Sequence, residues 1–263
     1  MITLIGHGYV GKYIADELFK QKKEFYWINH KQGIPWGTDF IINASGHTGY
    51  PNVDACEKEK DLTIQGNVLY PLQLEKWATA IGIPVLHISS GCVYTGYKDG
   101  GWTEEDAPNF TFDNGSFYSA SKSLFQELFA QYTYKSYLFR IRMPFGPDNS
   151  QKNLLTKLSK YDKLVNKLNS ITQLEELARC VLYFAENRPE FGIYNAVNPG
   201  GIMTIDIANR LGLNKEILTP EEELLVMRAP RSNCTLSTEK MDKVFQFTTD
   251  AYALDGTIKK MTK

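Results

Sequence analysis

The residues best suited to chemistry are two tyrosine–lysine pairs at the same spacing, Tyr94 with Lys98 and Tyr118 with Lys122. The chain has 15 tyrosines, so the spacing alone decides little and the surroundings must. Tyr94 and Lys98 lie among Gly91, Gly96, Gly100 and Gly101, in a loop. Tyr118 and Lys122 open an amphipathic stretch, where residues i and i+4 share one helix face. A lysine so placed lowers the phenol's pKa, and an oxidised nicotinamide ring would add to this. A phenol tuned in this way can give a proton to a carbonyl oxygen as hydride arrives at the carbon. Ser90, at the end of an apolar run, offers a second hydroxyl to the same oxygen. The plainer readings are a turn residue for Ser90 and a half-buried helical tyrosine for Tyr118.

A second motif names the reaction partner. Gly6-His7-Gly8-Tyr9-Val10-Gly11 is G-x-G-x-x-G between an apolar strand and a helix. The first glycine permits the tight turn, the second lets backbone approach a pyrophosphate, and the third lets helix and strand pack closely. The helix N-terminus then offers free N–H groups to the phosphates. These six residues, with Ala44, are assigned to a nicotinamide dinucleotide. An acid about 20 residues further on would hold an NAD ribose. The second strand instead ends at Asn29-His30-Lys31, a base without a carboxylate. Asn29 and Lys31 are therefore placed at the cofactor, and NADPH is preferred with NADH as the alternative. Lys31 reads almost equally well as a solvated loop charge.

These groups need a scaffold that brings them to one edge. Short apolar runs at Ile2 to Ile5, Phe25 to Ile28, Phe40 to Asn43, Pro84 to Ser89, Tyr137 to Arg142 and Gly192 to Val197 read as strands. Helical stretches alternate with them: Tyr9 to Lys20, Leu62 to Ile81, Phe117 to Thr133 and Gln173 to Asn187. The alternation predicts an α/β fold, a Rossmann-like doubly wound parallel sheet with ligands at the carboxyl ends of its strands. Residues 1-148 and roughly 168-198 form this dinucleotide-binding part. Roughly 149-167 and 199-263 form a small C-terminal substrate-binding lobe. It holds a basic helix over Leu154 to Lys167 and short helices announced by Thr204, by Thr219-Pro220 with Glu222, and by Ser237.

The bulk numbers set outer bounds. The 263 residues are 43% hydrophobic and 22% charged, with a net charge of -1, so neither nucleic acid nor a membrane surface is an expected partner. Cys56, Cys92, Cys180 and Cys234 are scattered, which suggests no metal site and no disulfide framework. No basic leader or long apolar segment is read, and a cytoplasmic location is expected.

Ser89-Ser90-Gly91-Cys92-Val93-Tyr94 followed by Tyr118-Ser119-Ala120-Ser121-Lys122 resembles the extended short-chain dehydrogenases/reductases. Within them the chain is most similar to dTDP-4-dehydrorhamnose reductases. It is closer still to the bifunctional 3,5-epimerase/4-reductases of UDP-rhamnose synthesis. The similar stretches are Gly46 to Asp54, Glu104 to Phe110, Arg140 to Pro144, Gly192 to Asn195 and Ala229-Pro230-Arg231-Ser232-Asn233. The resemblance implies that Ser90, Tyr118 and Lys122 are the reductase triad, and that Asn67 lies near substrate or nicotinamide. It implies that Cys92 and Lys157 move protons in epimerisation, and that Arg231 lies near the substrate's diphosphate. Arg142, within the Arg140 to Pro144 stretch, joins Asn67, Ser90, Cys92 and Arg231 in the expected substrate contacts. The implied reaction converts a nucleotide-4-keto-6-deoxyglucose, with UDP preferred, to nucleotide-L-rhamnose, and a homodimer is compatible with it. Most relatives have a further helix and strand where only about ten residues join Asn29 to Asp39 here. That departure touches the adenine end of the cofactor site.

The epimerase half also has a physical basis. A 4-keto sugar has acidic protons at C3 and C5, and inverting them takes a base on one face and an acid on the other. Cys92, two residues beyond Ser90, is a thiol on the same edge, and basic neighbours bring such a thiol toward neutrality. Without the resemblance, Cys92 reads as a small core residue and Lys157 as one of a solvated basic row with Lys152, Lys160, Lys163 and Lys167. The rival readings are a 4-reductase without epimerase activity, and a non-catalytic regulatory subunit with this fold.

Overall fold

The computed structural model describes residues 1–50, 52–131, 135–227 and 229–262. Pro51 of the similar stretch and the expected helix end at Thr133 lie outside them. Six strands form one wholly parallel sheet: β1 (Ile2–Ile5), β2 (Phe25–Ile28), β3 (Phe40–Asn43), β4 (Val85–Ser90), β5 (Tyr137–Ile141) and β6 (Gly192–Asn195). Their order is β6-β5-β4-β3-β1-β2. Ile2 pairs with Phe25 on one side and Phe40 on the other, so the chain reverses its direction of growth at β1. The crevice between the carboxyl ends of β1 and β3 is the place where this architecture binds ligands.

Burial explains the strands. Every residue of β3 and β5 is buried, as befits a parallel sheet covered on both faces. Helices α1 (Tyr9–Lys20) and α6 (Leu174–Asn187) pack together on one face. They bury Ile14, Ala15 and Leu18 against Leu174, Leu177, Ala178 and Val181, apolar residues at helical spacing. The other face carries α2 (Lys60–Ile64), α3 (Tyr70–Ala80) and α4 (Phe117–Gln131), over Leu74, Ala78, Phe125 and Phe129.

The stretch expected as one helix from Leu62 to Ile81 is broken. A wide π turn over Gln65–Leu69 separates α2 from α3. Pro71 is the cause, since it has no N–H to give the Asn67 carbonyl four residues earlier. The helix expected over Leu154 to Lys167 stops at Lys160, as α5 (Leu154–Lys160). Lys163–Leu164 then pairs in parallel with Glu216–Ile217, and Leu164 is buried. Thr204 begins helix α7 (Thr204–Arg210) without capping it, and Asn166 Oδ1 accepts from Ile205 N instead. Thr219 caps α8 (Pro220–Val226) through a full capping box with Glu222. Near Ser237 the helix is α9 (Glu239–Asp242), which begins after Thr238 with no cap from the threonine side chain, while Ser237 Oγ accepts from Glu239 N at 3.5 Å.

A second apolar cluster joins Phe145, Leu154, Leu158 and Leu164 to Ile207 and to Leu254 of α10 (Asp250–Met261). Part of the tail belongs elsewhere, because Met241 and Phe247 pack in the main core. Between Asn29 and Asp39 there is neither helix nor strand, so β2 is an outer edge of the sheet. No helix of the described residues is long and apolar enough to cross a membrane.

Candidate active site

The glycine turn closes at two positions and stays open at one. Gly6 has φ +108°, and a Cβ there would lie 2.9 Å from the Ala44 carbonyl and the Ser45 nitrogen. A Cβ on Gly11 would lie 2.2 Å from the Gly6 oxygen. At Gly8 nothing stands within 4 Å, and no side chain caps α1. The first N–H groups of α1 therefore meet the crevice together with the positive end of the helix dipole. That cradle fits a dinucleotide pyrophosphate. Trp27 steadies it: its Nε1 donates to the Gly6 oxygen at 3.0 Å, and its ring lies 4.9 Å from His7. Tyr9 and Val10 pack their side chains on the main core. At the end of β2, Asn29 Oδ1 accepts from Lys31 N at 2.9 Å in a local turn. Lys31 is exposed and forms no ion pair among the described residues.

Ser90 closes β4, and its Oγ accepts from Cys92 N at 3.1 Å. Helix α4 carries Tyr118 and Lys122, and Glu57 caps it by accepting from Phe117 N at 2.7 Å. Lys122 Nζ lies 6.0 Å from the Tyr118 ring centre. Burial lowers the lysine to a pKa of about 8. Burial and then nearby Cys92 push the Tyr118 phenol well above its ordinary value, while Ser90 and Arg142 act weakly the other way. The phenol's net shift is thus upward, opposite to the direction expected from Lys122, because desolvation of the phenolate is the largest effect. A phenol kept protonated is the form that can donate a proton.

Asn67 is fully buried in the π turn. Its Oδ1 accepts from His47 N at 2.9 Å, and its Nδ2 donates to His47 O at 2.9 Å and Ser121 Oγ at 3.1 Å. It clamps the segment after β3 onto α4. A Cβ on Gly46 would lie 3.1 Å from Asn67 Oδ1 and 3.3 Å from Lys122 Nζ, so glycine leaves room for the lysine. Behind that segment runs a buried polar chain that sequence reasoning missed. Ser136 Oγ donates to Glu75 Oε2 at 3.0 Å, and Glu75 Oε1 meets His87 Nε2 at 2.8 Å. His87 Nδ1 meets Asn43 Nδ2 at 3.0 Å, and Asn43 Oδ1 accepts from Ser45 N at 3.1 Å. Asn43 offers an N–H to the ring, so Nδ1 accepts and Nε2–H donates to Glu75. The signal was two polar residues, Asn43 and His87, inside apolar strands.

On the other side of Ser90, Cys92 is half-buried and accepts from Arg142 Nη1 at 3.4 Å. Arg142 is only 2% exposed, and its guanidinium donates to Ser232, Asn169 and the Cys92 sulfur. Lys157, on α5, has its ammonium lowered by burial, then by Lys152 and Arg231, with Cys92 opposing. Cys92, Lys157 and Arg231 therefore share one neighbourhood. Arg231 Nη2 donates to Asp54 Oδ2 at 2.7 Å, which joins two of the similar stretches. Lys152 Nζ donates to Gly49 O at 2.8 Å nearby. The other tyrosine–lysine pair is spent structurally. Tyr94 is buried, stacks on Trp102 at 4.8 Å and donates to Asp106 O at 2.5 Å, and Lys98 pairs with the Asp106 carboxylate.

Residues 35–262 match the model of the RmlD substrate binding domain. An Arabidopsis thaliana trifunctional UDP-glucose 4,6-dehydratase/UDP-4-keto-6-deoxy-D-glucose 3,5-epimerase/UDP-4-keto-L-rhamnose-reductase is 38% identical over 78% of this chain. The chain spans only 32% of that protein's length. A bifunctional dTDP-4-dehydrorhamnose 3,5-epimerase/dTDP-4-dehydrorhamnose reductase of the same plant is 37% identical over 78% of this chain and 71% of its own. The L780 UDP-rhamnose synthase of Acanthamoeba polyphaga mimivirus has the same fold, with a TM-score of 0.91, 23% identity and 99% of each chain covered. By the extent of these matches, the chain belongs to the RmlD substrate-binding-domain family.

Proposed function

We propose that this chain is an NAD(P)H-dependent 3,5-epimerase/4-reductase that turns a nucleotide-4-keto-6-deoxyglucose, UDP-linked by preference, into nucleotide-L-rhamnose. The observation that carries the reading is the company of one phenol: the Ser90 hydroxyl and the Cys92 thiol both act on Tyr118, and Ser90 Oγ accepts from Cys92 N at 3.1 Å. Groups for carbonyl reduction and for proton transfer at carbon then face one sugar. The relatives with these activities in their names support it.

In this reading the turn from Gly6 to Gly11 holds the dinucleotide, with Lys31 beside the adenosine ribose. The reduced nicotinamide supplies hydride to C4 when bound. Tyr118 gives its proton to the C4 oxygen, and Ser90 donates a hydrogen bond to it. Lys122, as ammonium, restores the electrostatic balance as the phenol loses its proton. During epimerisation Ser90 and Tyr118 steady the enolate oxygen. Cys92 takes the proton from carbon on one face and Lys157 returns one on the other. Arg231 holds the diphosphate, and the second apolar cluster forms the lobe that carries the nucleotide sugar.

The test is incubation with UDP-4-keto-6-deoxyglucose and NADPH, with NMR of the product sugar. UDP-L-rhamnose supports the proposal. A 6-deoxy sugar reduced at C4 without inversion at C3 and C5 would leave a plain reductase, and no turnover would leave a binding protein.

A further inference from the structure

Arg142 has no carboxylate partner among the described residues, although its side chain is buried. A guanidinium out of water needs both hydrogen bonds and a counter-charge. Hydrogen bonds from both terminal nitrogens are present, while Nε is buried without one among the described residues. Nη1 donates to Ser232 Oγ at 2.6 Å, and Nη2 donates to Asn169 Oδ1 and, at 3.1 Å, to Ser232 O. The counter-charge is not. The groups that can become anionic and act on it most strongly are the thiols Cys234 and Cys92 and the phenols Tyr97 and Tyr118.

Three of these four are poor anions. Cys234 is buried and directs its thiol to Gly91 O at 3.6 Å, so its proton is in use. Tyr118 is held as a phenol by burial. The Tyr97 hydroxyl accepts from Leu168 N at 3.1 Å and lies half-exposed. Cys92 differs: its sulfur receives the Nη1 hydrogen bond at 3.4 Å, and it borders solvent.

The backbone is shaped to keep this contact. A Cβ on Gly91 would lie 2.9 Å from Arg142 Cγ and 2.6 Å from Leu236 Cδ1, so the arginine stem runs where only glycine fits. Met143, the next residue, has φ +39°, a conformation that an L side chain adopts at a cost. The strain turns the chain out of β5 directly after Arg142.

We infer that Arg142 is a positioning residue that holds Cys92 as the thiolate, so that the thiol's anion is the missing counter-charge of the buried guanidinium. The inference rests on the proton-carrier role proposed for Cys92. The Cys92 proton leaves to solvent, and the thiolate then takes a proton from the sugar carbon and becomes a thiol. Lys157 ammonium gives a proton to the opposite face of the same carbon and becomes an amine, and exchange with water restores both. Among the described residues, the charged and titratable groups that interact with Cys92 include Tyr118 from α4, Arg142 just past β5, Lys157 from α5 and Cys234 from the C-terminal segment. Two of the four are cations, and Arg142 is the one in direct contact.

The test is the rate of iodoacetamide alkylation of Cys92 against pH, read by mass spectrometry of its peptide. Cys56, Cys180 and Cys234 are buried and serve as internal controls. The wild-type midpoint is the reference for each variant. Arg142→Gln should raise the midpoint by about one unit or more and slow alkylation at pH 7 by roughly ten-fold. Arg142→Lys should fall between them, since it keeps the charge and loses the planar fork. If Arg142→Gln does not fold, Ser232→Ala decides: it removes the acceptor that competes for Nη1, and the midpoint should drop. An unchanged or higher midpoint in Ser232→Ala overturns the inference. So does an unchanged midpoint in a folded Arg142→Gln, including the case where only the KM for nucleotide sugar rises. A midpoint that depends on Arg142 in a protein that does not invert C3 or C5 would keep this inference and remove the epimerase reading.

Discussion

Arg231 and Asp54 meet at 2.7 Å across the crevice, one from the C-terminal segment and one from the short helix Val53–Glu57 that follows β3. The pair is partly exposed, so it contributes little to stability, about 0–1 kcal/mol. Its value is placement, because it holds a guanidinium within influence of Lys157. Arg231→Ala should therefore act on substrate binding. A lost charged hydrogen bond of about 1.5–3 kcal/mol raises KM by roughly ten- to hundred-fold. Steady-state kinetics alongside urea unfolding separates the cases. An unchanged KM with a lowered midpoint would make the arginine structural.

The two tyrosine–lysine pairs should part company under mutation. Tyr118→Phe removes the proton donor and keeps the ring, so NADPH oxidation should fall by roughly 10²-fold or more. Tyr94→Phe removes a buried hydroxyl bonded to Asp106 O. It should cost about 1 kcal/mol of stability and leave turnover within a few-fold. Equal losses of turnover in the two variants would contradict the assignment.

Lys122 should set an alkaline limit. Burial brings its pKa down to about 8, so it is an ammonium below that pH and an amine above it. The ammonium is the form that compensates the charge left on Tyr118. The kcat/KM for reduction should therefore fall as pH rises through about 8. Lys122→Arg retains its charge, so its lower rate should stay level past pH 9. A wild-type profile flat to pH 9.5 would detach Lys122 from the chemistry.

The sheet and the glycine turn were legible because each has a local cause. Continuous apolar runs mark strands buried on both faces, and Gly6 and Gly11 stand where a Cβ would meet backbone. The choice between Tyr94 and Tyr118 was also local, since loop glycines surround the first. What could not be read locally was desolvation. Lys122 was expected to lower the Tyr118 phenol, yet burial by the whole fold decides the sign. Arg142 looked like a substrate contact in sequence, and its packing against Gly91 and Ser232 could not be read there. The break at Pro71 could have been foreseen from the missing N–H, whereas the clamp from Asn67 to His47 joins residues 20 apart.

The chain from Ser136 to Ser45 gives a stability prediction independent of catalysis. His87→Phe keeps an aromatic ring against Phe125 and Phe129 but leaves Glu75 with one partner fewer in a fully buried site. A buried carboxylate stripped of a hydrogen bond should cost about 1–3 kcal/mol or more. Glu75→Gln with His87 intact should cost less, since the amide oxygen still accepts the imidazole proton. Chemical denaturation of the two variants tests the order. If His87→Phe proves neutral, the imidazole is not holding the carboxylate.

Epimerisation exchanges carbon-bound protons with solvent, and reduction alone does not. In D₂O the wild type should place deuterium at both C3 and C5 of the product. Cys92→Ala removes the thiol and leaves Ser90, Tyr118 and Lys122 in place, so exchange at one or both carbons should cease and rhamnose should vanish from the products. Loss of the thiol also removes the group that raises the Tyr118 phenol second only to burial. Reduction of a pre-epimerised 4-keto sugar should persist, with the phenol less strongly raised and the alkaline limit still set by Lys122 near pH 8. Lys157→Ala should stop exchange as well, though Lys152 stands close enough to act on the same ammonium and can blur that result. The cysteine variant is the cleaner experiment. If the wild type shows no deuterium at either carbon, the chain is a reductase alone. If exchange persists in Cys92→Ala, the epimerase is real and another base serves it.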